Sequence, residues 1–123
     1  MLRDVVPDPK PPRRIVDDGL MAEMRNAGLS GECPCVACGE RLTEPHHVRL
    51  RSQGGDDVEG NIVFLCGKCH GEYHRRGHDT EVRFLLGRFL RSDRGRYVRA
   101  YLVGKLGRKG AQSYMQRQFG VRL

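Results

Sequence analysis

The spacing of apolar residues predicts a helix near the N-terminus. Asp17-Asp18-Gly19 can cap a helix, and the apolar residues that follow recur every three or four positions: Leu20, Met21, Met24 and Ala27. Gly28 is expected to stop this helix, because glycine readily adopts the left-handed conformation found at helix ends. The first regular element is therefore a short helix just ahead of a cysteine-rich segment.

The same spacing returns twice toward the C-terminus. One apolar stripe is expected on a helix capped by Thr80, and its members are Val82, Leu85, Leu86, Phe89 and Leu90. A second stripe is expected on a helix capped by Ser92 or Asp93, and its members are Tyr97, Val98, Tyr101 and Leu102. A last short helix is predicted over 111–119, ended by Gly120. Three glycines are expected to break the chain before it: Gly104, Gly107 and Gly110.

Between these helices the pattern favours two strands and one helix. Residues 41–48 are expected to form a strand, residues 49–57 a loop with a Gly-Gly turn, and the apolar run 62–65 a second strand. A helix should follow from Cys66 or Lys68 to about residue 75. The fold class expected is thus α+β, with a small two-stranded core between a short N-terminal helix and C-terminal helices.

The length of 123 residues suits one domain with extensions, small enough to benefit from a metal staple. We expect an extended proline-rich tail over 1–14, a core over 15–78 and a basic helical extension over 79–123. Hydrophobic residues make up 38%, no apolar run approaches the length of a membrane span, and no signal-peptide pattern opens the chain. These features predict a cytoplasmic protein without a membrane partner.

The net charge of +7 is concentrated in one part of the chain. The segments 1–31, 32–74 and 75–123 carry net charges of 0, −3 and +10. A basic segment of this kind is typical of proteins that bind a polyanion, because Lys and Arg contacts to phosphates release counterions from DNA. We therefore predict DNA, with double-stranded DNA favoured, as the partner.

Four cysteines form two C-x2-C pairs: Cys35/Cys38 and Cys66/Cys69. In a reducing compartment, paired C-x2-C sequences indicate a structural Zn2+ on four thiolates. A redox-active role is the alternative. Cys33 is expected to be a bystander, although it lies close enough in sequence to compete with Cys35.

Four histidines remain once the cysteines have saturated a tetrahedral ion: His46, His47, His70 and His74. His70 and His74 are one helical turn apart and should share a face of their helix. Adjacent residues of a strand point to opposite faces, so a regular strand would separate His46 from His47. We therefore interpret the cluster as an active site, with a purely structural cluster as the alternative.

These residues resemble those of the HNH endonucleases. The resemblance covers Glu44-Pro45-His46-His47, Gly54-Gly55, and the run from Asn61 to His70 with His74, and it favours the subgroup whose ββα-metal motif is stapled by a four-cysteine zinc site. It implies that His47 is the general base and that Asn61 fixes the active-site loop and orients that base. It further implies a catalytic divalent metal, with His46, His70 and His74 as ligands. Many members have Asp where this chain has His46, which leaves Mg2+, Mn2+, Zn2+ and Ni2+ open.

The resemblance implies metal-dependent hydrolysis of DNA phosphodiester bonds, with 3′-hydroxyl and 5′-phosphate ends, and a bacterial or viral context. Contacts to the DNA backbone are expected from Arg49, Arg51, Lys68, Arg88, Arg91, Arg96 and Arg99. The alternatives are a non-catalytic zinc-stapled DNA-binding module and an accessory subunit whose C-terminal helices bind a larger nuclease or packaging assembly. Glu44 is expected to pair with an Arg or to lie on the strand surface, and His78 to be solvated or near a phosphate. Sequence specificity, nicking as opposed to double-strand cutting, and the oligomeric state do not follow from these residues.

Overall fold

A computed structural model of the protein describes residues 13–75 and 81–120. Its regular elements, in chain order, are α1 (Asp18–Ser30), β1 (Glu44–His47), β2 (Ile62–Leu65), α2 (Gly67–Tyr73), α3 (Glu81–Arg91) and α4 (Arg96–Phe119). Single 3-10 turns lie at Arg51–Gln53, Glu59–Asn61 and Asp93–Gly95. The predicted cap at Thr80 and the predicted environment of His78 lie outside the described residues.

The two strands and the helix after them form a ββα unit, which confirms the predicted fold class. Strands β1 and β2 pair in antiparallel register, with His46 opposite Val63 and His47 opposite Ile62. The prediction for β2 is confirmed, whereas β1 is shorter than the predicted strand. Its pairing does not extend back to Thr43, because the Thr43 N–H donates to the Gly28 carbonyl of α1, 3.0 Å away.

Helix α1 begins and ends through side-chain and backbone caps. The Asp17 carboxylate accepts a hydrogen bond from the Leu20 N–H at 2.9 Å, and Gly31 adopts the left-handed conformation that ends the helix. The prediction that Gly28 stops this helix is wrong. Gly28 lies inside the helix, where a Cβ would lie 2.2 Å from the Thr43 carbonyl oxygen. Its lack of a side chain allows α1 to approach the chain next to β1.

The C-terminal helices pack on the ββα unit through the predicted stripes. Their most deeply buried members are Val82, Leu86, Leu90, Val98 and Leu102. Tyr97 instead is 66% exposed. The prediction of three glycine breaks is wrong for Gly104 and Gly110, which lie within α4, and only Gly107 departs from helical geometry. The predicted end at Gly120 is confirmed by its left-handed conformation.

A single cluster of buried side chains extends from the cysteine loops to the end of α4. Arg83 of α3 connects two other helices at the edge of this cluster. Its guanidinium donates to the Tyr73 carbonyl at 3.0 Å and to the Gln118 side chain at 2.9 Å, and lies 4.1 Å from the centre of the Tyr73 ring. These contacts fix the C-terminal end of α2, the helix that carries most of the candidate ligands.

Candidate functional site

The four cysteines of the C-x2-C pairs converge on one point. Cys35 and Cys38 belong to the loop before β1, while Cys66 caps α2 and Cys69 lies in its first turn. Their sulfur atoms all lie within 4.8 Å of one another, and Sγ of Cys38 is 3.7 Å from Sγ of Cys66. Zinc–sulfur bonds of about 2.3 Å in a tetrahedron place the sulfurs about 3.8 Å apart. The donor set therefore fits a structural zinc ion.

The electrostatics of the cluster also favour a cation. Burial by itself raises the pKa of Cys35, but hydrogen bonds from the backbone at Cys66, Cys38 and Ala37 outweigh it and lower the pKa to about 7. The pKa of Cys69 is raised, first by burial and then by the neighbouring thiols. Four crowded thiols resist joint ionisation unless a positive charge compensates them. Cys33 lies outside this set.

A second cluster joins three histidines from β1 and α2. The ligating nitrogens of His46, His70 and His74 all lie within 4.8 Å of one another. His46 is 2% exposed, and its Nε2 atom has no hydrogen-bond partner among the described residues. A buried polar atom without a partner is costly, and coordination to a metal ion would satisfy it. The three side chains therefore fit a divalent metal.

The protonation of these histidines suits metal binding. Burial, followed by the charges of His70 and His74, lowers the pKa of His46 to about 3. Burial also lowers the pKa of His74. Neutral imidazoles are the form that binds metals, so His46 and His74 need not lose a proton at neutral pH.

Glu44 supports one of the three histidines from the neighbouring strand end. Its Oε1 atom accepts a hydrogen bond from Nδ1 of His70 at 2.5 Å. The partner of Glu44 is thus a histidine and not an arginine. A carboxylate on one ring nitrogen fixes the tautomer and leaves the other nitrogen available to a metal, an arrangement common at histidine-ligated sites.

His47 borders the same cleft as the three histidines. The cleft has a volume of about 390 Å³, and its walls include Leu50, Arg51 and Ser52. Nε2 of His47 lies 2.8 Å from Oδ1 of Asp57. Burial lowers the pKa of His47 and outweighs the opposing effect of Asp57. A neutral imidazole therefore lies beside the candidate metal ligands, although adjacent strand residues alternate in direction.

Asn61 holds the loop that follows β1. Its buried side chain accepts a hydrogen bond from the Arg49 N–H at 2.8 Å and donates to the carbonyls of Arg49 and Asp56, each at 3.0 Å. Gly55 allows this tight loop, because a Cβ at that position would lie 1.7 Å from the Arg49 carbonyl oxygen. Asn61 therefore holds the loop from Arg49 to Asp56, and its role in orienting His47 stays a prediction.

Two aspartates of this loop were not among the predicted site residues. The Asp57 side chain is completely buried and contacts Arg14 in an ion pair, besides its contact with His47. Asp56 accepts hydrogen bonds from the Tyr101 hydroxyl at 2.6 Å and from the Lys105 ammonium. The sequence offered one signal, because the two carboxylates directly follow the Gly-Gly turn. Carboxylates in a predicted loop are ordinarily expected to be exposed to solvent.

The predicted DNA-binding side chains occupy different surroundings. Arg51 is 52% exposed at the histidine cleft, with Nε 3.5 Å from Oδ1 of Asp57. Arg49 stacks on the Tyr114 ring, 4.8 Å from its centre. Lys68 instead borders a separate cavity beside the cysteine cluster.

The four predicted arginines of the C-terminal helices also differ. Arg88, Arg91 and Arg96 are exposed. Arg99 is half-buried and donates to the Leu90 and Ser92 carbonyls at the end of α3. Three of the four are therefore accessible to a large ligand, while Arg99 already binds backbone carbonyls.

Residues 35–76 match the family model described as HNH endonuclease. The match contains both candidate metal clusters, His47, Asn61 and the two aspartates of the loop. Comparison with curated proteins and with solved structures gave no match. Within residues 13–75 and 81–120, no helix is long and apolar enough to cross a membrane.

Proposed function

Because residues 35–76 match the HNH endonuclease family model, we propose that this protein is a metal-dependent endonuclease that hydrolyses DNA phosphodiester bonds. HNH domains act on DNA and use a divalent metal. The observation that carries the proposal is the cluster of His46, His70 and His74 nitrogens in the cleft that His47 also borders. Within this cluster, Nε2 of His46 has no hydrogen-bond partner among the described residues. A purely structural histidine cluster would not require an additional neutral imidazole at its open side.

In this proposal His47 is the general base. Its imidazole is neutral at neutral pH because burial lowers its pKa, and it can therefore remove a proton from the attacking water. Asn61 holds the loop next to it through three hydrogen bonds. A divalent cation held by His46, His70 and His74 would supply positive charge to stabilise the phosphate as negative charge develops on it.

The four-cysteine cluster has a structural role in this proposal. A zinc ion there would join the loop that carries Cys35 and Cys38 to the first turn of α2. His70 directly follows Cys69 on that helix. A zinc staple would thus fix the orientation of α2, and with it the positions of two histidine ligands, without taking part in the reaction.

We propose that the substrate is held through its phosphates. Arg51 borders the cleft, and Arg88, Arg91 and Arg96 supply exposed positive charge on the C-terminal helices. The segment 32–74 carries a net charge of −3, so most of the attraction to DNA would come from residues outside the HNH domain. Side chains that contact only phosphates bind unrelated sequences alike.

A second role as an accessory subunit is compatible with this activity. The exposed aromatic residues Phe84 and Tyr97 on α3 and α4 support it, because large apolar side chains at the surface favour protein contacts.

The test is cleavage of supercoiled plasmid by purified protein with Mg2+, Mn2+, Zn2+ or Ni2+. We expect nicked or linear plasmid with at least one metal, and none after chelation or with His47→Ala. Ser52→Ala, which changes a neighbour in the same cleft without removing an ionisable group, serves as the matched control and should remain active. Plasmid binding without cleavage under all four metals would favour the non-catalytic DNA-binding module.

A further inference from the structure

The carboxylate of Asp57 is held by groups from two parts of the chain, β1 and the segment before α1. Its Oδ1 atom contacts Nε2 of His47 at 2.8 Å and pairs with the Arg14 guanidinium, and its Oδ2 atom accepts a hydrogen bond from the Asp17 N–H at 3.0 Å. The side chain has no exposed surface. Both oxygens are therefore held, and the carboxylate cannot rotate away from His47 without losing a partner.

The direction of the hydrogen bond between His47 and Asp57 follows from the chemistry of the two groups. Burial by itself raises the pKa of Asp57, but hydrogen bonds from the Asp17 N–H and from His47, with the charges of Arg51 and Arg14, outweigh it and lower the pKa. An ionised carboxylate only accepts hydrogen bonds. Nε2 of His47 must therefore carry the proton, and in a neutral ring the free lone pair belongs to Nδ1.

We propose that Asp57 is a positioning residue that holds His47 in its Nε2-protonated tautomer, so that Nδ1 is the atom that accepts the proton from water. This inference rests on the proposed endonuclease activity and names the atom that performs its first step. It also assigns a role in catalysis to the segment 13–17, which lies outside the HNH match and is here named the N-terminal strap.

The N-terminal strap contacts the backbone of Asp57 as well as its side chain. Besides the contacts of Arg14 and Asp17, the Ile15 carbonyl accepts a hydrogen bond from the Asp57 N–H at 2.8 Å. Arg14 also donates through Nε to the Gly55 carbonyl at 2.9 Å. The strap therefore binds the backbone and the side chain of the loop at once, and it supplies the positive charge that a buried carboxylate requires.

The proton and electron balance of the step is complete with these groups. An O–H bond of water breaks as its proton binds Nδ1 of His47, and the resulting oxygen nucleophile forms a bond to phosphorus while the bond from phosphorus to the leaving oxygen breaks. The His47 ring is then an imidazolium, whose Nε2–H still faces the negative charge of Asp57. The ring returns its proton to solvent, and the leaving oxygen takes a proton from solvent.

Two variants of Asp57 separate the functions of its carboxylate. Asp57→Ala removes both the acceptor and the charge, so we expect a loss of kcat of at least about tenfold with KM unchanged. Asp57→Asn keeps an amide oxygen that can accept from Nε2–H, and it should retain the tautomer and a kcat between those of Asp57→Ala and the wild type. Asp56→Asn is the matched control, because Asp56 is also buried and is hydrogen-bonded to Tyr101 and Lys105 but not to His47. It should lower thermal stability but leave kcat and the tautomer of His47 unchanged.

The tautomer itself is measured by long-range nitrogen–proton correlation NMR of the histidine rings in the full, zinc-loaded protein at mildly alkaline pH. We expect Nε2-protonated His47 in the wild type and in Asp57→Asn, and a mixture of tautomers in Asp57→Ala. Nδ1-protonated His47 in the wild type, or an Asp57→Ala protein with wild-type kcat, would overturn the proposal, and the spectrum of the wild type remains available if Asp57→Ala does not fold. Failure of the wild type to cleave DNA would refute the proposed function instead, while the spectrum still decides the tautomer.

Discussion

Three exposed arginines of the C-terminal helices give the most quantitative test of the proposal that this protein binds DNA. Arg88 and Arg91 lie on the solvent side of α3, and Arg96 begins α4. Arg96 forms an exposed ion pair with Asp93 at 3.1 Å, and such pairs contribute little to stability. A triple Arg→Gln variant should therefore fold normally and differ from the wild type mainly in its surface charge.

The expected magnitude follows from counterion release. Each phosphate contact contributes about 0.9 to the slope of log affinity against log salt on duplex DNA, so the loss of three contacts should flatten the slope by about 2.7. Arg99→Gln is the matched control with the same chemical change. Because Arg99 donates to the Leu90 and Ser92 carbonyls, its loss should lower stability by about 1 to 3 kcal/mol and leave the slope unchanged.

The assay is fluorescence anisotropy of two labelled duplexes of unrelated sequence, titrated with each protein over a series of salt concentrations. The triple variant should bind both duplexes more weakly and to the same extent, with unchanged zinc content. Equal slopes for the wild type and the triple variant would refute the reasoning. Such a result would place these side chains against solvent or a protein partner instead of DNA.

Three further predictions concern the two metal clusters. His47→Ala should reduce cleavage by about a hundredfold to ten-thousandfold while metal content and DNA affinity stay normal. His46→Ala should lose the histidine-bound metal, as measured by elemental analysis. Loss of that metal from His47→Ala would instead make His47 a ligand and His46 the base. Cys66→Ala should lose zinc and cooperative unfolding. Mild chelation of the wild type should stop cleavage without changing its circular dichroism spectrum. A fully folded Cys66→Ala protein with normal zinc content would contradict the structural role of the four-cysteine site. Because burial lowers the pKa of His46 from 6.5 to about 3, the unfolded chain binds this proton more readily than the folded protein. The melting temperature of protein that keeps its zinc but lacks the histidine-bound metal should therefore fall as pH decreases through this range, and His46→Phe should flatten that dependence.

The features predicted correctly are those encoded by residues close together in the sequence. The C-x2-C pairs need only a short turn to direct two sulfurs to one ion, and the apolar run of β2 is bounded by Asn61 and Cys66. His70 and His74 follow from helical periodicity alone. Local spacing was therefore sufficient for the ββα unit and for the positions of the cysteines.

The errors arose where a distant segment determines the local conformation. Gly28 reads as a helix end, yet it continues α1 because the helix packs against Thr43. Gly107 departs from helical geometry whereas Gly104 and Gly110 do not, and no difference between these glycines is visible in the sequence. Propensity is a weak guide when tertiary contacts supply the larger free energy.

The charged residues were harder to assign for a related reason. Arg14 and Asp57 are separated by 43 residues, and no periodic pattern connects them. Arg99 looks like its exposed neighbours in the sequence, although its guanidinium reaches back to α3. Whether a charged side chain faces solvent or a buried partner depends on the packing of whole elements, which the composition of one segment does not contain.

The contacts of Asp56 and Asp57 determine which fragments of this protein can preserve the histidine cleft. A fragment cut at the boundaries of the HNH match, 35–76, would carry every candidate metal ligand. It would lack the N-terminal strap, and it would also lack Tyr101 and Lys105, which bind Asp56 from α4. Asp57 would keep its contact with His47 and the loop would keep Asn61, but both carboxylates would lose the partners that come from outside the match. A functional cassette for grafting onto another DNA-binding protein must therefore include sequence from both sides of the recognisable motif.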